Sequence, residues 1–170
     1  MGLICLLAGG DRDLQVQVAR EPGAGGAVTV RGRFAAPVDR VWRVLTDQGA
    51  YPRIFPEIRS MAYVRAGSRG TVWRAEVALP WPIGDRWSEH EVESRVEAWT
   101  VRWRHLAGTL RENSGSWQLR AAPGGGTLVA YRSRFDPGVP LLPQWLLDWA
   151  VTIGIPKVVE DLRRYVGTGR

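Results

Sequence analysis

One change of hydrophobic period constrains this chain more than any other feature. From about residue 58 to 135 it reads as strand-like runs with tight connections, and from 143 to 167 as a single helix. The runs are IRSMAYVRAG and TVWRAEVALP, joined by Gly67-Ser68-Arg69-Gly70, then RWSEHEVESRVE, AWTVRWRHLAG, GSWQLRAA and TLVAYRSRF. The last two meet at Pro123-Gly124-Gly125-Gly126, a glycine-rich tip of the kind hairpins use where φ must be positive. The terminal segment PQWLLDWAVTIGIPKVVEDLRRYVG places Trp145, Leu146, Trp149, Ile153, Val159 and Leu162 at helical spacing. Gly154 and Pro156 predict a bend or break midway, and Gly167 a stop.

The N-terminal third completes the pattern. DLQVQVARE (13–21) alternates Leu14, Val16 and Val18 against Gln15 and Gln17, and AVTVRGRF (27–34) alternates again, so the two predict a hairpin around PGAGG. APVDRVWRVLTD (36–47) switches to a helical stripe of Val38, Val41, Trp42 and Leu45, with Pro37 suited to a first turn and Ala36 a poor cap. AYPRIFPEI (50–58) predicts a short broken helix. The order strand, strand, helix, many antiparallel strands, long helix is α+β rather than alternating βαβ. A sheet of six or more strands needs cover, and the terminal helix is the element long enough to supply it. A curved sheet closed over one helix leaves room for an apolar cavity.

The sequence argues against several function classes. Its 170 residues suit one domain, expected over 13–167, with residues 1–12 a flexible or signal-like N-terminus. LICLLA (3–8) is apolar but lacks a basic leader, which leaves cytoplasm and export both open. No run of 18 apolar residues predicts a transmembrane helix. The net charge is +6, and Lys157 is the only lysine; no basic block or aromatic-glycine motif points to nucleic acid. Cys5 is alone, so no intrachain disulfide can form. The two histidines, His90 and His105, have no metal-ligand spacing, and no metal or other cofactor is expected. There is no nucleophile elbow, and GAGG lies between strands rather than before a helix, so it is no phosphate loop. Glu89, Glu91 and Glu93 share one strand face, expected to be solvated, and Glu76 is expected to point outward.

Three motifs together carry a family resemblance. APVDRVWRVLTDQGAYPRIFPEI (36–58), LPWPIGDRW (79–87) and GSWQLRAAPGGGTLVAYRSRFDPGVPLLPQWLLDWA (115–150) resemble, in that order, the START-like (SRPBCC, Bet v 1-like) superfamily, and most closely its START lipid-transfer domains. Trp87 stands where those domains usually carry an acidic residue after the arginine. The resemblance implies a helix-grip fold: a curved antiparallel β-sheet wrapped around a long C-terminal α-helix, with one or two short helices after the first strands. It implies binding, and transfer, of a hydrophobic small molecule or lipid in a cavity under that helix, without a catalytic constellation. Within the same fold, a polyketide cyclase or aromatase and a coenzyme Q-binding chaperone are the alternative readings; for the enzyme the acid–base candidates are His90, His105, Tyr131 and Asp148.

The wall residues expected on this basis are Trp73, Val77, Trp103, Tyr131 and Phe135 from the strands, and Trp145, Trp149, Thr152 and Ile153 from the helix. Arg86 is the expected polar anchor, with Asp85 or Glu76 as its partner, and Trp81 the expected wedge of the proline turn. HLAGTLRENS (105–114) resembles the long gating loop, whose Leu106, Leu110 and Arg111 would touch a membrane surface transiently. The sequence carries no signal for oligomeric state.

Overall fold

A computed structural model describes residues 4–6, 14–19, 27–139 and 144–168. Among these, the strands are β1 (Ile4–Leu6), β2 (Leu14–Ala19), β3 (Ala27–Phe34), β4 (Ile58–Ala66), β5 (Thr71–Val77), β6 (Arg86–Arg95), β7 (Thr100–Gly108), β8 (Glu112–Ala121) and β9 (Thr127–Asp136). They form one antiparallel sheet in the order β1-β2-β3-β9-β8-β7-β6-β5-β4. The predicted hairpin of β2 and β3 is present, with Val16 opposite Val30; its turn lies outside the described residues. Pairing of β3 with β9 brings the first long strand against the last, so the two ends of the pattern meet mid-sheet.

Two short helices follow β3, as the period change predicts. Helix α1 (Val38–Thr46) buries Val41 and Leu45 completely and keeps Asp39 and Arg43 paired outside at 3.3 Å. It has no side-chain cap, and Thr127 Oγ1 instead donates to the Ala36 carbonyl at 2.7 Å, tying the helix start to β9. Helix α2 (Tyr51–Ile54) is a single turn, and its neighbouring Phe55 packs edge-on to Tyr51 at 5.0 Å.

The terminal helix comes in three pieces: α3 (Gln144–Trp149), a π turn (Ala150–Gly154) and α4 (Ile155–Gly167). The break falls where Gly154 and Pro156 predict it, with Pro156 in the first turn of α4, where its missing N–H costs nothing. Val159, Leu162 and Val166 of α4 pack with Val28, Val30 and Phe34 of β3, Leu119 of β8, Val129 of β9 and Leu45 of α1, in one core. Each such side chain contributes about 1.5–3 kcal/mol by leaving water.

The outer face departs from expectation at one position. Glu89 and Glu93 are partly exposed, but the Glu91 side chain is only 3% exposed. It accepts from the Arg69 backbone N–H at 2.8 Å, from Arg104 at 2.6 Å and from Ser68 Oγ at 3.2 Å, because the β4–β5 turn folds over it. Those bonds, the Arg69 N–H foremost, hold its carboxyl down at about 2.

Candidate functional site

A cavity of about 210 Å³ lies between the inner face of the sheet and the bent terminal helix. Its floor alternates along the strands: Ala75 and Val77 from β5, His90 and Val92 from β6, Val101 and Trp103 from β7. Asn113 and Trp117 of β8 and Tyr131, Ser133 and Phe135 of β9 continue it. Tyr51, Phe55, Ile58 and Met61 close one side, and Ala150, Gly154, Ile155 and Val158 form the roof. The π turn therefore contributes its two smallest residues, Ala150 and Gly154, and these leave the space that larger side chains would fill. Tyr131 sits between two indoles, stacked on Trp103 at 5.8 Å and tilted against Trp117 at 4.2 Å, so the floor is an aromatic surface.

The polar groups of the wall are mostly tied to one another. Gln48 Nε2 donates to the Leu45 carbonyl at 2.9 Å and to Tyr51 Oη at 3.0 Å, and Tyr51 Oη donates to the same carbonyl at 2.9 Å. Trp103 Nε1 donates to Asn113 Oδ1 at 3.2 Å, while Asn113 Nδ2 donates to Ser88 Oγ at 2.9 Å. Tyr131 bonds Ser133, and burial pushes the Tyr131 phenol up to about 12. Burial also raises Tyr51 far above the ordinary phenol range. Glu57 is paired to Lys157 of α4 at 2.9 Å, and Lys157 also holds Asp161 at 2.6 Å. His90 is the exception: it is 6% exposed, and its Nδ1 has no hydrogen-bond partner. Burial, and then its cross-strand neighbour His105, bring the imidazole down to about 4, so it is neutral near pH 7.

The predicted wall residues divide. Val77, Trp103, Tyr131 and Phe135 line the cavity together. Trp73 shares their face of β5 but stays outside the lining, half-buried and edge-on to Tyr63 at 5.7 Å. Trp145, Thr152 and Ile153 do not line it; Trp145 is 56% and Ile153 53% exposed, and Thr152 bonds back to the Asp148 carbonyl. The side chain of Trp149 lies outside what the structure describes.

Arg86 is not in the wall either. It donates to the Pro137 carbonyl at 3.4 Å and to the Asp85 carbonyl at 3.0 Å, while the Asp85 carboxylate pairs with Arg59 at 3.3 Å and Glu76 is exposed. The wedge of the proline turn is Ile83, which is buried and bonds back to Pro80; Trp81 is 83% exposed. Trp87 lies under the Arg74 guanidinium, 4.2 Å from the ring centre. Stretch 105–114 is no long loop, since β7 runs to Gly108 and β8 starts at Glu112. Leu106 is half-buried and Leu110 2% exposed, while Arg111 holds Asp136 through its side chain at 3.6 Å and its backbone at 2.9 Å.

Sequence reasoning missed Gln48, Asn113 and Ser133. Asn113 carried a usable signal, because it alternates with Gly115 and Trp117 onto the inner face. Gln48 follows Leu45 by three residues and so continues the buried side of α1 past its end. Among the described residues, no group of three or more His, Cys, Asp or Glu could hold a metal, and no helix is long and apolar enough to cross a membrane.

Residues 25–167 match the family model described as polyketide cyclase / dehydrase and lipid transport. Solved structures share the fold at low identity. A STAR-related lipid transfer protein from Xanthomonas axonopodis is 21% identical over 98% of this chain and 99% of its own, with a TM-score of 0.74. The Zhui aromatase/cyclase from Streptomyces sp. R1128 is 20% identical over 83% and 93%, at 0.68. Human StAR-related lipid transfer protein 5 is 13% identical over 98% and 87%, at 0.75. No curated protein sequence matches the chain.

Proposed function

The chain belongs to the polyketide cyclase/dehydrase and lipid-transport family, within the START-like SRPBCC superfamily, and we propose that it binds and carries a compact hydrophobic molecule under its C-terminal helix. The observation that carries this reading is the aromatic cavity itself, walled by Trp103, Trp117, Tyr131 and Phe135 and roofed by the small residues of the π turn. Ligand pockets commonly span about 300–1,000 Å³. A cavity of about 210 Å³ therefore favours a ring system or a single short chain over a two-chain lipid. Affinity would come from apolar burial, about 25 cal/mol per Å² of ligand surface before ordering costs.

Exchange at a membrane surface fits the rim. Trp81 lies two residues beyond Leu79 of the wall, and Ile153 adjoins Gly154 of the roof; with Trp145 they are large apolar side chains left in water. Such groups settle at the headgroup boundary, and the net charge of +6 favours an anionic leaflet. This rim takes the role that the sequence assigned to Leu106, Leu110 and Arg111.

Titration with N-phenyl-1-naphthylamine, an uncharged dye that brightens in apolar surroundings, tests the reading. One dye should bind per chain. Ala75→Phe, which fills the cavity from β5, should abolish that binding while the far-ultraviolet circular dichroism stays unchanged. Undiminished dye binding in a folded Ala75→Phe protein would contradict it.

A further inference from the structure

Among the described residues of the cavity wall, His90 is the polar side chain that makes no hydrogen bond to the protein. Gln48, Tyr51, Glu57, Asn113, Tyr131 and Ser133 each hold at least one protein neighbour by a side-chain hydrogen bond or ion pair. His90 lines the same cavity and is 94% buried; its Nδ1 is sealed off without an acceptor or donor, which leaves Nε2 as the ring nitrogen open to a ligand. Its neighbour across the strand pair, His105, is also without a partner at Nδ1, so the two rings do not satisfy each other. A polar nitrogen that opens only onto an apolar cavity is costly to leave unmet, and a ligand group in that cavity can meet it.

We propose that His90 is the polar anchor of this cavity and that it selects an uncharged ligand bearing a hydroxyl or carbonyl group on an apolar body. This rests on the cavity reading above and names the ligand class. A neutral imidazole offers one donor and one acceptor, which a hydroxyl matches from either side and a carbonyl from one. A carboxylate or phosphate needs a cation, and among the described residues none lines the wall: Glu57 is its charged member, and Lys157, outside the lining, already holds Glu57 and Asp161. The depressed proton affinity of His90 is consistent with this, since near pH 7 the ring brings no charge to meet an anion. Asn113, two residues along β8 from Gly115, is fixed by Ser88 and Trp103 and so positions the wall beside His90 without competing for the ligand.

Fluorescence titration near pH 7.5 with naphthalene, 2-naphthol and 2-naphthoate tests the proposal on one aromatic body. The wild-type protein should bind 2-naphthol roughly tenfold more tightly than naphthalene, the worth of one buried hydrogen bond. 2-Naphthoate should bind most weakly. His90→Phe should bring 2-naphthol to the level of naphthalene in the same variant; His90→Gln, which keeps a donor and an acceptor, should retain part of the preference. Equal wild-type affinities, tightest binding of 2-naphthoate, or a 2-naphthol preference surviving in His90→Phe would overturn the anchor while leaving the cavity standing. A wild-type protein that binds none of the three would overturn the cavity reading and the anchor with it. Should His90→Phe fail to fold, the wild-type ranking and His90→Gln decide the matter alone.

Discussion

The two halves of the C-terminal helix carry the same kind of apolar sequence and do different work. In α4, Val159, Leu162 and Val166 are 0–2% exposed and fill the space over β3 and α1. In α3 and the π turn, Trp145 and Ile153 are more than half exposed, and the cavity meets Ala150 and Gly154 instead. Thr152 lies seven residues before Val159, the same side of an uninterrupted helix, yet it faces solvent. The π turn, to which Thr152 itself belongs, is the cause: its wider i→i+5 turn offsets the register against α4, and one residue is about 100° around a helix. One half thus fills the core and the other roofs a hollow, along a single element.

The largest expected effect lies in the filled half. Leu162→Ala should cost about 2–5 kcal/mol in urea unfolding, the range for a large core side chain. Equal tolerance of Leu162→Ala and Ile153→Ala would erase the distinction.

The next effect sits under the hollow half and is read by pH. His90 has a folded value near 4 against an ordinary 6.5, so on acidification the unfolded chain takes up its proton first. Stability should be intact above about pH 6.5 and fall by about 3 kcal/mol as pH drops through 4. His90→Phe should flatten that window. Glu91, held near 2, adds its own loss only below about pH 4.5, where its unfolded form begins to protonate, so the two are separable in a pH series. A wild-type curve flat from pH 6.5 to 4 would show that His90 is not buried as described.

The smallest stability effect belongs to the exposed rim. Trp145→Ala and Ile153→Ala should each change unfolding by less than about 0.5 kcal/mol. Both should nonetheless weaken sedimentation with phosphatidylcholine vesicles containing phosphatidylglycerol, a split that core residues could not produce.

Much of this was legible in the chain. Strand limits from β4 to β9 follow the alternation, and Val77, Trp103, Tyr131 and Phe135 reach the cavity because a period of two fixes which face a strand residue takes. The helix residues failed for a reason that spacing cannot carry: Trp145, Thr152 and Ile153 were placed by extrapolating 3.6 residues per turn through a segment that does not keep it. Arg86 failed because two backbone carbonyls, supplied by Pro137 and Asp85, take its guanidinium, and carbonyl positions are not written in side-chain patterns. Ile83 rather than Trp81 anchors the proline turn: its backbone bonds back to Pro80 and its side chain is buried, while Trp81 stays in water. Leu110 reads as loop but is core, since strands β7 and β8 each extend into the stretch around it.

A small hydrophobic molecule held in the hollow half of the inner face would be carried through purification. Native mass spectrometry of the purified protein, followed by solvent extraction of whatever it carries, tests it most directly. One compact, uncharged, largely apolar molecule per chain is expected, displaced by N-phenyl-1-naphthylamine and absent from Ala75→Phe. A protein that emerges empty and takes up no hydrophobic probe offered to it would contradict the claim and leave the cavity a packing defect.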